Sequence, residues 1–171
     1  MTDLWIENGT KSKSTGLIIA PESFELRHDV ALIDMGVTLR KGKAFFTYAE
    51  FEALRKQNQL PKGWRLPTYE EAVALLEEFV EKSDNTSHGF VNKLKLDFSG
   101  YVYPKMQIYN EDPSAAAYET IDGNYLEGRF WVENPDKNSL YAILVKRHRL
   151  PTLQTFCAES GAKIRLVHQI S

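Results

Sequence analysis

Short apolar runs separated by turn formers open the chain, and this pattern predicts β structure over the first 40 residues. Leu4-Trp5-Ile6 is the first run, and Asn8-Gly9 after it is a dipeptide suited to a hairpin turn. Lys11 to Thr15 is polar and predicts a loop. Gly16 to Ala20 is apolar and β-branched until Pro21 ends it. Phe24-Glu25-Leu26 and Val30-Ala31-Leu32-Ile33 are two further short strand candidates. Residues 1–28 stay open to two readings. They form either a ribbon appended to the main domain or to a partner, or an edge of the same sheet.

Helical signals follow. Gly36-Val37-Thr38-Leu39 leads through Arg40-Lys41-Gly42-Lys43 to Ala44-Phe45-Phe46, a hairpin or a strand feeding a helix. Thr47 and Glu50 form a capping box, in which each side chain satisfies the other's backbone N–H. The helix they open carries Phe51 and Leu54 on one face and runs to about Gln57. Asn58-Gln59-Leu60-Pro61-Lys62-Gly63 breaks it. Pro67 then keeps Leu66 extended, so the next helix starts no earlier than Thr68. Thr68 and Glu71 make a second capping box, and Ala72, Leu75, Leu76, Phe79 and Val80 form one apolar stripe to about Lys82. Two capped helices with a short connection are expected to pack on each other and on a sheet.

The second half reads as strands. Ser83 to His88 is loop-like, and Lys93-Leu94-Lys95-Leu96-Asp97-Phe98 alternates with period two, predicting a half-buried strand. Gly100 to Pro104 continues the β region. Periodicity is lost from Asn110 to Asn124, and a loop of this length in a compact domain signals function. Tyr125 to Val132 resumes strand character, Asn134 to Asn138 is a turn, and Leu140 to Val145 is the most apolar strand candidate. Leu150 to Ala162 reads as irregular, and Lys163 to Val167 as a closing strand. Early helices with many short strands give an α+β class with a mainly antiparallel sheet.

Composition narrows the function classes. At 171 residues the expectation is one core, here divided into an N-terminal β extension over 1–35 and a main domain over 36–171. Lys and Arg number 21 against 23 Asp and Glu, so no basic excess exists to neutralise a nucleic-acid backbone. One cysteine, Cys157, excludes an internal disulfide and favours a reducing compartment. No secretory signal and no membrane-length apolar run is visible, so a cytoplasmic or virion-associated location is expected.

With these pieces in order, the chain resembles a known family. Phe46-Thr47-Tyr48-Ala49-Glu50 followed by Leu60-Pro61-Lys62-Gly63-Trp64-Arg65-Leu66-Pro67-Thr68 is similar to the opening of the Fibrobacter succinogenes major paralogous domain. That family belongs to the C-type-lectin-like group, which includes formylglycine-generating sulfatase-modifying enzymes. Lys93-Leu94-Lys95, Gly100-Tyr101, Gly128-Arg129-Phe130-Trp131 and Gly161-Ala162-Lys163-Ile164-Arg165-Leu166-Val167 resemble later landmarks, over residues 36–169. The resemblance implies two helices on a twisted antiparallel sheet, with long ligand-binding loops on one side. Some relatives are variable receptor-binding proteins of phages; no Asn/Tyr/Ser-saturated tract stands near this C-terminus.

The chemistry points to binding. Formylglycine-generating relatives use a cysteine pair, whereas Cys157 stands alone and reads as a small buried hydrophobe. His28, His88, His148 and His168 lack metal-ligand spacing. Glu133-Asn134-Pro135-Asp136 differs in order from the calcium triplets of sugar-binding lectins, and Asn110, Glu111, Asp112 and Asp122 are further oxygen donors. Glu70, Glu71, Glu77 and Glu78 read as a helix cap and a solvated face. Lys146-Arg147-His148-Arg149 reads as an exposed basic turn. Trp64 and Trp131 are expected in the core. No catalytic residue, metal ligand or cofactor is expected.

Aromatics concentrate in the loop-rich half, and aromatic side chains make good contact residues. Tyr101, Tyr103, Tyr109, Tyr118, Asn124 and Tyr125 are the candidate binding residues, and the loops of residues 104–128 and 146–160 form the expected surface. The expected function is a non-enzymatic domain that binds a protein or carbohydrate ligand, such as a phage or host-interaction protein. Two alternatives stand beside it: a degenerate relative of the sulfatase-modifying enzymes, and a structural subunit forming a homo-oligomer through the N-terminal ribbon. Neither nucleic acid nor membrane is an expected partner.

Overall fold

Continuous apolar runs need cover on both faces, and the fold supplies it. The computed structural model describes residues 2–80, 83, 85–104, 118–121 and 127–170. Its architecture is α+β. β1 (Thr10–Lys11), β2 (Leu17–Ile19), β5 (Trp64–Arg65) and β11 (Val167–Gln169) form a four-stranded sheet in the order β1-β2-β11-β5. β6 (Ser99–Pro104), β7 (Tyr118–Ile121), β8 (Glu127–Trp131), β9 (Tyr141–Lys146) and β10 (Arg149–Thr155) form a five-stranded sheet in the order β10-β9-β8-β6-β7. β3 (Val30–Leu32) and β4 (Val37–Leu39) pair as a separate hairpin. The pairings between these strands are antiparallel except β6 with β8.

The strands divide two apolar clusters. Leu17 and Ile19 of β2, Phe130 of β8, and Ile143 and Val145 of β9 point into one cluster. Their alternate neighbours Ile18, Trp131 and Ala142 point into the other. Period-two geometry sends successive side chains to opposite faces, so an unbroken apolar run is a strand covered twice. α3 (Tyr69–Phe79) and α4 (His88–Leu94) cover one side through Ala72, Leu75, Phe90, Val91 and Leu94. α2 (Tyr48–Lys56) covers the other through Tyr48, Phe51 and Leu54. The expectation that the two capped helices pack on each other is therefore corrected: α3 packs on α4, and α2 packs on β3. Both capping boxes form as expected, at Thr47 with Glu50 and Thr68 with Glu71.

Six further expectations are corrected. Leu4-Trp5-Ile6 lies in a helix, α1 (Thr2–Asn8), not a strand; only Trp5 of the three turns into the core. Asn8-Gly9 is then a helix end rather than a hairpin turn, with the Gly9 N–H donating to the Trp5 carbonyl at 2.8 Å. A Cβ on Gly9 would stand 2.5 Å from the Ile19 carbonyl oxygen, so glycine is required where α1 meets β2. Phe24-Glu25-Leu26 forms no strand and runs as an irregular segment. Lys93 to Phe98 is split: α4 ends at Leu94, Lys95 turns left-handed at φ 55°, and β6 begins at Ser99. Phe90, Val91 and Leu94 carry helical spacing that overrides the period-two reading downstream. Residues 150–162, expected to be irregular, contain most of β10, and the closing strand is Val167–Gln169 rather than 163–167.

Residues 1–35 are built into the same core as the rest. Trp5, Ile18, Ala20, Phe24, Leu26, Val30 and Leu32 sit in one cluster with Trp64, Trp131 and Leu166. No helix among the described residues is long and apolar enough to cross a membrane.

Candidate functional site

Pro21 follows β2, and the chain from Glu22 to His28 then forms an irregular wall with no strand of its own. Three backbone bonds fix it. Phe24 N–H donates to the Ile164 carbonyl at 2.8 Å, Leu26 N–H to Lys43 at 3.0 Å, and Gly42 N–H to Leu26 at 2.8 Å. Its root is held by Arg165, a guanidinium only 6% exposed. Arg165 Nη1 donates to the carbonyls of Ala20 and Leu94 at 3.0 and 2.8 Å. Nη2 donates to Ser23 Oγ at 3.2 Å and to the Lys95 carbonyl at 3.0 Å. Burial lowers Arg165 to about 10, opposed by the charges of Asp97 and Glu22. It remains a cation at neutral pH, seated against the negative end of α4.

The facing wall comes from the break after α2. Asn58 takes the left-handed conformation at φ 56°, and Gln59 N–H donates back to the Leu54 carbonyl at 2.9 Å. This reversal presents Asn58, Gln59, Leu60 and Pro61. Between the walls lies a cleft of about 620 Å³. Its floor is Trp5, Phe24, Leu26 and Leu60. Trp5 is locked edge-on to Trp64 at 5.2 Å, and its indole N–H donates to Glu22 Oε1 at 2.9 Å. Trp64 in turn faces His168 at 5.2 Å, and His168 Nδ1 lies 2.8 Å from the Gly63 carbonyl.

The rim carries both signs of charge. Glu22 pairs with Arg27 at 3.8 Å, Glu25 and Lys41 are exposed beside them, and His28 reaches Gln59 across the cleft at 3.4 Å. A cavity of this size with an apolar floor and convergent polar groups has the form of a small-ligand site.

The chain matches no family model, no curated protein and no solved structure.

Of the residues expected to bind, three lie on described strands of the five-stranded sheet. Tyr101 and Tyr103 are in β6, opposite Ile121 and Glu119 of β7, and Tyr118 is opposite Pro104. The pairing puts these three on two adjacent strands. Tyr109, Asn124 and Tyr125 lie outside the described residues. Of the expected loops, 146–160 is largely the β9–β10 hairpin.

The other candidates resolve into structural roles. Cys157 is exposed rather than buried, and its thiol donates to Glu159 Oε2 at 2.7 Å. Glu133 takes both bonds from Arg55 Nη1 at 2.7 Å, and Asn134 spends its amide on Val132 and Tyr141. Tyr48, raised to about 12 by burial, accepts from Asn134 N–H at 2.8 Å. The Glu133-to-Asp136 string is thus a closed turn, and no metal-holding group of three His, Cys, Asp or Glu occurs among the described residues. Glu78 is no solvated acid. Burial opposes its charge, but Ser12, Ser14 and the backbone of Lys13 and Ser14 donate to it and hold it near 2.

Proposed function

We propose that the chain is a non-enzymatic binding domain whose ligand sits in the cleft between residues 22–28 and 58–61. The observation that carries this reading is the cleft's chemistry: an apolar floor under a rim of Glu22, Glu25, Arg27, His28 and Lys41. Such a rim suits an amphipathic ligand bearing both an anionic and a cationic group, such as the backbone ends of a short peptide, over an apolar side chain. The resemblance to the C-type-lectin-like group rests on the Trp64-Arg65-Leu66-Pro67-Thr68 stretch and the order of later landmarks; it agrees with a binding role and names no ligand. A carbohydrate or a protein loop are the wider classes that the resemblance brings.

The test is a thermal-shift survey of di- and tripeptides and small saccharides, with tryptophan fluorescence, compared between the wild type and Trp5→Phe, as a second readout. A ligand that binds only the folded state raises the melting temperature, and the rise grows with the logarithm of its concentration above Kd. Zwitterionic peptides with an apolar side chain should raise it in the wild type and lose at least tenfold in affinity in Arg27→Glu. Equal binding by both proteins places the ligand elsewhere. A bound ligand recovered chemically altered refutes the non-enzymatic reading.

A further inference from the structure

Arg149 and Thr152 are separated by an odd number of positions, a spacing that in a regular strand would put them on opposite faces. Their partners on β9, Lys146 and Leu144, are separated by an even number and share a face. β10 absorbs the difference in a bulge between Arg149 and Thr152, so all four side chains stand on one side of the hairpin. Ser87, fully buried, stitches the basic ends of the two strands together. Its hydroxyl donates to the Arg149 carbonyl at 2.7 Å and accepts from Lys146 N–H at 3.0 Å. Its own N–H donates to the Lys146 carbonyl at 3.2 Å.

The result is a like-charged pair held side by side. Lys146 and Arg149 are direct partners across the ladder, an arrangement that costs stability unless an anion answers it. Little in the chain does so. Lys146 Nζ stands 3.8 Å from Glu127 Oε2, too far for a hydrogen bond, and the Arg149 guanidinium has no partner among the described residues. Arg147 lies instead over the Phe98 ring at 5.9 Å. The two cations line a pocket of about 340 Å³. Asn85, Thr152 and Gln154 add neutral hydrogen-bonding side chains, and Leu144 and Leu150 add apolar surface. No carboxylate is among the described lining residues.

We propose that this pocket binds a phosphate monoester, with the phosphate group between Lys146 and Arg149 and the organic part over Leu144 and Leu150. Such a phosphate carries a charge of about −1.5 to −2 at neutral pH. That charge answers two cations of which one is partly offset by Glu127. The planar guanidinium matches two oxygens of the phosphate, and the ammonium reaches a third. Gln154 Nε2 donates to Thr152 Oγ1 at 3.2 Å, which leaves the threonine hydroxyl hydrogen to donate into the pocket. The bulge therefore gathers donors that a regular ladder would split between two faces. None of these residues lines the cleft between 22–28 and 58–61, so the site is independent of what the cleft binds.

Calorimetric titration of the full chain with phenyl phosphate, inorganic phosphate and benzoate, at one fixed ionic strength, tests it. Phenyl phosphate should bind, inorganic phosphate should bind more weakly, and benzoate should not bind measurably. Arg149→Gln and Lys146→Gln should each weaken phenyl phosphate by roughly tenfold. Neither should lower the melting temperature of the free protein, because each relieves the like-charged pair. Glu127→Gln removes the competing carboxylate and should tighten binding by about threefold, a gain that damage to the fold would not produce. A wild type with no saturable binding of phenyl phosphate at millimolar concentration overturns the proposal. So does binding that is unchanged in both Arg149→Gln and Lys146→Gln, or benzoate bound as tightly as phenyl phosphate. Inorganic phosphate bound as tightly as phenyl phosphate overturns the ester and leaves a site for the free ion.

Discussion

Arg65 grips Glu71 with both terminal nitrogens, Nη1 to Oε1 at 2.7 Å and Nη2 to Oε2 at 2.9 Å. The same carboxylate accepts from Thr68 N–H at 2.9 Å, closing the capping box of α3. Arginine six residues before the glutamate therefore locks the start of the helix to the strand that precedes it. Lysine keeps the charge but cannot make the paired geometry. Arg65→Lys should lower stability by about 1 kcal/mol, a figure held down because the pair is partly solvated. Urea unfolding measures it. Glu71 is lowered by Arg65, against burial, so its contribution is present above the ordinary carboxylate range and fades as pH falls below it.

Glu78 offers a sharper pH signature. Its four donors hold its folded-state value near 2, below the 4.5 of a free carboxyl. A depressed carboxylate stabilises the fold above the unfolded value and loses that contribution as pH falls through the folded one. Glu78→Gln should be less stable than the wild type by about 1–3 kcal/mol at neutral pH. The gap should narrow between pH 4.5 and pH 2. Paired melts across that range, on proteins that stay folded, check it.

Arg165 ties the wall of the cleft to α4. Arg165→Met fills similar space but strands the carbonyls of Ala20, Leu94 and Lys95, at a cost of about 3 kcal/mol or more. Hydrogen exchange should show the loss concentrated in residues 20–28 and 94–95 before the sheet opens. Uniform loosening of the whole molecule would contradict that role.

The approach of α1 to β2 admits no side chain at Gly9. Gly9→Ala sets a methyl against two carbonyl oxygens of the backbone, which cannot rotate away as a side chain would. A loss of about 1–3 kcal/mol is expected, with the melting temperature as readout.

Local chemistry was legible in the sequence, and long-range assembly was not. The two capping boxes could be read because Thr47 with Glu50, and Thr68 with Glu71, satisfy each other within three residues. β2, β3, β8 and β9 showed through their apolar runs, whereas β7 and most of β10 fell in stretches read as irregular. α1 was misread because Leu4 and Ile6 are apolar yet face outward, so a three-residue run carried no period. α4 was hidden because it stops inside an alternating stretch, at a left-handed Lys95 that no glycine advertises. The cleft left no trace at all. His28 and Gln59, which meet across it, are 31 positions apart, and Arg165 reaches Ala20 across 145. Its residues carried structural signals alone: Trp5 and Phe24 to Leu26 read as strand, and Asn58 to Pro61 as a helix break.

Strands dressed on both faces have one more consequence. β2 and the middle of β9 present no platform to solvent, so neither strand can recognise anything by laying a flat surface against it. Around these two strands, contact with the outside world is left to margins, tips and crevices, places where a handful of side chains decides what adheres.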